Sequence, residues 1–211
     1  MAARALTLIL VALLTLTVPL VESTHPAEAR KRFRFRTVTR VFTNNGQIAI
    51  PGNGTATPYP APLAAKGFKK GKIKDVNLLL RDFSHTFPEH VDILLVAPNG
   101  RNALVMSDVG GNANAVNLDL TLDDEAAAGL PSAGALASGA FRPTNFGAIE
   151  DLPAPAPVSG GAVALDTFDG GNPNGEWKLF VRDDTNMENG EFAGGWSLQI
   201  KARIKIRKKR R

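Results

Sequence analysis

The chain has 211 residues, a formal net charge of +5 and no cysteine. The absence of thiols excludes disulfides, thiolate nucleophiles, cysteine-ligated metals and a lipid-modified cysteine, so stability must come from burial. Charge is unevenly placed: residues 30–40 carry six basic side chains and no acid, residues 201–211 carry eight and no acid, and residues 41–200 hold ten basic against eighteen acidic side chains. An acidic body between two basic ends speaks of partners and colloidal behaviour rather than of fold.

Residues 1–29 are organised like a secretory signal peptide. Arg4 precedes the uncharged apolar run Ala5 to Val21, and Ala27-Glu28-Ala29 offers small residues at a cleavage site, so the mature chain is expected to begin at Arg30 and to be secreted. An uncleaved anchor is the alternative, but about 17 apolar residues only reach the short limit of a bilayer span. No later segment approaches that length, so no transmembrane segment is expected after cleavage. The remainder is long enough for one domain with a proper core.

Strand signals dominate from there on. Phe33, Phe35, Val38 and Val41 suggest a first strand whose outer face is crowded with arginine. Val76, Leu78 and Leu80 alternate as the inward set of another. The run from Val91 to Ala97 is almost continuously apolar and predicts a central strand buried on both faces or nearly so. Pro98-Asn99-Gly100 then turns the chain into Ala103 to Met106 as a hairpin. Asp123 to Gly129 has acids first, alanines inside and a glycine last, which predicts one or two helical turns. Residues 129–162 are rich in Gly, Ala, Pro and Ser without periodicity and read as a long surface excursion across a sandwich.

Trp177, Leu179 and Val181 alternate next. From Trp196 every second residue is apolar through Leu198, Ile200, Ala202, Ile204 and Ile206, with Ser197, Gln199, Lys201, Arg203 and Lys205 between them. A helix would scatter that set around its circumference, so the segment is a strand with one buried face. Both tryptophans read as core anchors. The pattern predicts an all-β fold, a β-sandwich or jelly roll with at most one or two short helical turns, over residues 30–206, followed by a basic tail at 207–211.

Several segments taken in order resemble the P domain, also called the Homo B domain, of kexin- and furin-type subtilases and of many bacterial secreted proteases. They are IAIPGNG near Ile48, HTFPEHVDILLVAPNG from His85, LVMSDVGG from Leu104, RPTNFG from Arg142, the PAPAP loop, FDGGNPNGEWKLFVRDD from Phe168 and GGWSLQI from Gly194. The resemblance implies a jelly-roll-like sandwich of the galactose-binding-like type. It implies a domain that packs on and stabilises a protease catalytic domain, and calcium binding in some bacterial members. His90 departs from the family, which often has an acid there.

Catalytic chemistry is not expected. The mature chain holds only His85 and His90, no serine in a glycine-flanked elbow, and too few residues for a subtilase domain beside the P-like one. His85 is expected to make a structural hydrogen bond. The acids Asp123-Asp124-Glu125 and Asp183-Asp184 would suit glycoside hydrolysis only at a defined separation, which nothing in the sequence sets.

Calcium is the better use of these oxygens, since it takes six to eight hard ligands from loops. Asp169 and Asn172 with Asn174 form one candidate cluster, Asp183, Asp184 and Asn186 with Glu188 a second, and Asp92 with Asp108, Asn112 and Asp119 a third. The alternative is that Asp and Asn are simply good turn formers.

The basic ends invite a polyanion. If the first and last strands are neighbours, Arg32, Arg34 and Arg36 sit near Lys201, Arg203 and Lys205, and Arg207, Lys208, Lys209, Arg210 and Arg211 extend the patch. Acidic wall polymers, anionic lipids or nucleic acid would bind there by counterion release, and a solvated tail is the alternative. No aromatic residue interrupts the C-terminal basic run, so sequence-specific nucleic-acid recognition is not expected. The expected function is a secreted, non-catalytic, P-domain-like interaction module, calcium-stabilised, binding a surface polymer or a partner protein. The alternative is an accessory domain associated with serine endopeptidase activity supplied by a separate subtilase chain.

Overall fold

The computed structural model describes residues 33–185 and 188–207. The expected signal peptide, Arg32, Asn186 and Lys208 to Arg211 lie outside them. In chain order the strands are β1 (Phe33–Asn44), β2 (Ile48–Ile50), β3 (Gly54–Thr55), β4 (Ala61–Ala65), β5 (Lys72–His85), β6 (Val91–Val96) and β7 (Asn102–Ser107). They continue as β8 (Ala115–Leu122), β9 (Gly139–Phe141), β10 (Thr144–Asn145), β11 (Gly175–Asp183), β12 (Gly190–Phe192) and β13 (Trp196–Arg207). Two single turns of 3₁₀ helix, Pro88–His90 and Leu165–Phe168, are the helical content of the described residues. None of their helices is long and apolar enough to cross a membrane.

The fold is an all-β sandwich of two mixed sheets. One runs β1–β13–β5 and continues along the far part of β5 with β12 and β2, while β8 takes the other edge of β5 and β9 lies parallel beyond it. The other runs β10–β7–β6–β11–β3, with β4 pairing the opposite end of β11. Alternation explains the shared core. Leu78, Leu80, Leu198 and Ile200 from the first sheet and Ile93, Leu95, Trp177, Leu179 and Val181 from the second belong to one buried cluster with Trp196. The pair Gly194-Gly195 admits the last strand: at Gly195, φ is +69° and a Cβ would fall 2.2 Å from the Asn44 carbonyl oxygen.

The near-continuous apolar run of β6 is buried on both faces, for two different reasons. Val91, Ile93 and Leu95 face the common core, whereas Leu94 and Val96 face outward into a second cluster with Leu104, Phe180 and Leu152. Part of the proline-rich excursion supplies that cover. Tyr59 packs edge-on against Phe180 with ring centroids 4.9 Å apart and donates its hydroxyl to the Pro153 carbonyl at 2.7 Å. Burial pushes the Tyr59 phenol up to about 12.

Two local expectations are corrected. Asp123 to Gly129 is a series of turns and bends, not helix. Asp123 Oδ1 accepts the Glu125 N–H at 3.0 Å, and the Arg142 guanidinium donates to the Ala126 and Ala127 carbonyls, which a continuing helix would use for itself. In β1, Val38 and Phe42 pack against the core, while Phe33, Phe35 and Val41 are exposed. The arginines therefore do not own the outer face.

Leu152 lies in a segment whose composition marks it as surface, yet it is 5% exposed beneath the second sheet. Leu152→Ala is expected to lower unfolding free energy in urea by about 2 to 5 kcal/mol, the range of a core leucine truncation. A change within about 0.5 kcal/mol, typical of a surface site, contradicts the covering role.

Candidate functional site

The three oxygen-rich clusters resolve differently. In the first, Asn172 Oδ1 accepts from the Asn174 backbone N–H at 3.1 Å and its amide at 2.9 Å. Asn174 in turn exchanges hydrogen bonds of 2.9 Å with the backbone N–H and carbonyl of Phe68. These side chains staple two turns together, as turn-forming asparagines do. Burial raises the Asp169 carboxyl above the usual range, with Lys74 opposing the shift.

The second cluster does not converge. Consecutive residues at the end of β11 point to opposite faces, so Asp183 enters the core while Asp184 stays outside with Arg182. Asp183 Oδ2 lies 3.0 Å from His85 Nε2, both side chains fully buried, and Asp183 Oδ1 accepts the Thr185 N–H at 2.9 Å. Glu188 lies 3.5 Å from His90, whose ring stacks on Phe87 at 4.2 Å. In the third cluster Asp119 accepts the Asp82 N–H at 3.1 Å on the first sheet, Asp108 accepts from the Ser107 hydroxyl at 3.1 Å, and Asp92 pairs with Arg182.

The folded chain builds a different acidic group. Asp92, Glu150 and Asp184 bring carboxylate oxygens within 4.8 Å of one another. Glu150 comes from the long excursion, so no local spacing announces it. Arg182 sits among the three, with Nε 2.7 Å from Asp92, Nη2 on Glu150, and Asp184 at 4.0 Å. A cation is thus already built in. Burial nevertheless raises the Asp92 carboxyl to about 6, against the lowering effects of Ser107 and Arg182.

Asp75, Asp123 and Glu125 form another group, with Lys201 3.9 Å from Asp75 and the Asn77 amide on Asp123. Asp124 accepts the backbone N–H groups of Leu165 and Asp166 at 3.0 and 2.7 Å, so that carboxylate is spent on a 3₁₀ turn.

His85 makes the structural hydrogen bond expected of it. The Phe87 N–H donates to Nδ1 at 3.1 Å, leaving the ring proton on Nε2, which faces Asp183 off the line of a well-aligned hydrogen bond. Nδ1 is thus hydrogen-bonded, while Nε2 has a close contact with Asp183 alone. Burial holds the imidazole pKa below its usual range, with Asp183 opposing the shift.

The basic ends do become neighbours, along twelve antiparallel pairs from Phe33↔Arg207 to Asn44↔Trp196. Residues directly opposite share a face. Arg34 and Arg36 therefore lie with Ile206 and Ile204, while Lys205, Arg203 and Lys201 lie with Phe35, Thr37 and Thr39 on the other side. This corrects the single patch expected from neighbouring strands: the arginines of β1 and the cations of β13 occupy opposite faces. The C-terminal basic run holds no aromatic of its own, yet β1 sets two beside its cations across the strand pair. Arg203 lies over the Phe35 ring at 4.0 Å and Lys205 over Phe33 at 3.6 Å, with the rings 56% and 42% exposed. Among the described residues, Lys201 is the one cation of this face paired with an acid.

No family model matches the chain, and no curated protein matches it. Among solved structures it is similar to the crystal structure of a serine protease of Aeromonas sobria, at 13% sequence identity and a TM-score of 0.40, over 80% of this chain and 27% of that one. The chain thus spans about a quarter of that protein's length.

Two outcomes follow from the buried charges. His85 titrates lower in the folded than in the unfolded chain, where imidazole has a pKa near ~6.5, so the unfolded state takes up the proton first as pH falls. Stability in urea is expected to decline from pH ~7 towards ~6, with a slope of at most about 1.4 kcal/mol per pH unit. Asp92, raised to about 6, acts in the opposite sense: its stabilisation is full when protonated and is lost as pH rises through that value, so the curve flattens below it. Asp92→Asn should remove the flattening; a midpoint that stays constant from neutrality into mild acid in that variant contradicts the buried neutral imidazole. Arg182→Met leaves three carboxylates without their cation, and millimolar calcium should then raise the melting temperature of the variant by more than that of the wild type. Equal shifts would show that Arg182 is not what holds the cation position.

Proposed function

We propose that this chain is an exported, non-catalytic interaction module of the P-domain type whose outer β1–β13 face docks an anionic surface polymer or an acidic partner protein. The observation that carries the reading is the face itself. Lys201, Arg203, Lys205 and Arg207 project from one side of one strand at every second position, and the acidic body leaves three of them without a carboxylate partner among the described residues. Cations so placed keep an unneutralised field, which attracts polyanions and releases their counterions on binding. The ordered motifs from Ile48 to Ile200 support the domain type. The internal engagement of His85 and of the acids at 123–124 supports a binding rather than a catalytic role.

Opposite faces allow a test at constant net charge. Arg203→Glu with Lys205→Glu is expected to elute from a phosphate-bearing cation exchanger at clearly lower salt than the wild type. Arg34→Glu with Arg36→Glu, on the other face, should lose distinctly less retention. Equal losses would show that total charge alone governs binding and would reject a docking face.

A further inference from the structure

The register that puts Phe33 and Phe35 among the cations creates more than a charged surface. Arg203 and Lys205 cover one side of each ring from β13, so the opposite side of each ring is turned away from β13. On that side β1 is the edge of its sheet, with no further strand paired to it among the described residues. Residues two apart on a strand face repeat at about 7 Å. The rings thus form a short ladder of free π faces with a cation behind each.

At the end of this ladder, where the strands run out, Phe33, Lys205, Ile206 and Arg207 meet Lys69 and Lys70, from the loop before β5, around an open groove of about 410 Å³. Among the described residues no carboxylate lines it. A polymer of acidic sugars or phosphates alone would use the cations and leave the rings in water. A chain that alternates phosphates with flat aromatic rings uses both.

We propose that the groove and ladder bind single-stranded nucleic acid without sequence preference, and this rests on the anionic-ligand reading of the same face. Bases stack on the free faces of Phe33 and Phe35, while Lys69, Lys70, Lys205 and Arg207 hold the phosphates. The remaining β1 positions on that face are Thr37, Thr39, Val41 and Thr43, and β1 offers no Asn, Gln, Asp or Glu there to read base edges. A duplex hides its bases and would meet only the cations.

The test measures fluorescence polarisation of a labelled short oligothymidine with the purified protein, using inorganic polyphosphate as a competitor without bases. Oligothymidine is expected to bind with a log–log salt slope of about −0.7 per phosphate held. Polyphosphate of equal charge should compete poorly. Phe33→Leu with Phe35→Leu, both exposed positions, should keep the wild-type melting temperature, weaken oligothymidine about tenfold or more, and leave polyphosphate binding unchanged. If the double variant binds oligothymidine as well as the wild type does, or polyphosphate competes on equal terms, stacking is overturned while the anionic face stands. Ring-dependent binding to phosphatidylglycerol vesicles without oligothymidine binding assigns the face to membranes and overturns the proposal. Failure of oligothymidine, polyphosphate and vesicles alike removes both this inference and the anionic-polymer reading beneath it.

Discussion

The twelve-pair ladder between β1 and β13 joins the two ends of the described chain and decides where their charges point. Side chains alternate along each strand, so one choice of inward residue sets all the others. Leu198, Ile200 and Ala202 are fully buried in the common core, and Val38 and Phe42 pack against it from β1. With those positions turned inward, Lys201, Arg203 and Lys205 must turn outward and Arg34 and Arg36 cannot join them. Reversing the arrangement would drive four β13 cations towards the core, at a desolvation cost no surface interaction could offset. The cationic face is thus a consequence of burial.

The same rule orders the charges at the end of β11. Val181 and Asp183 turn inward, and Arg182 turns out to meet Asp92 from β6 and Glu150 from the excursion. The inward acid requires a partner because an unpaired buried carboxylate is expensive, and His85 from β5 supplies it. The pair connects the two sheets through polar groups inside an otherwise apolar core. A chain without disulfides holds its sheets together by that core, by the second apolar cluster outside β6, and by such cross-sheet contacts.

Aromatic residues play two parts here, separated by their place on the strands. Trp177 and Trp196 lie at 0% exposure in the core, whereas Phe33 and Phe35 stand in solvent with cations against them. An exposed cation–π contact is worth only about 0.5 to 1 kcal/mol, too little to explain two solvent phenylalanines as stabilising features. The cations cover part of each ring and leave the rest to solvent.

By itself the sequence determined the all-β class and the inward sets of β5, β11 and β13, because period two is a local property that any half-buried strand must show. It also pointed to a structural hydrogen bond at His85, which the Phe87 N–H supplies. Only the tertiary structure decided which strands are neighbours and in what register, and most of the site depends on that. Asp183, Asp184 and Glu188 are close in sequence, yet the pleat and the turn send them to His85, Arg182 and His90. Glu150 reaches Arg182 from a loop thirty-two positions away. Phe35 finds Arg203 across a strand pair whose register is set by buried residues further along. Linear spacing carries no information about such contacts, since burial fixes them through the whole core at once.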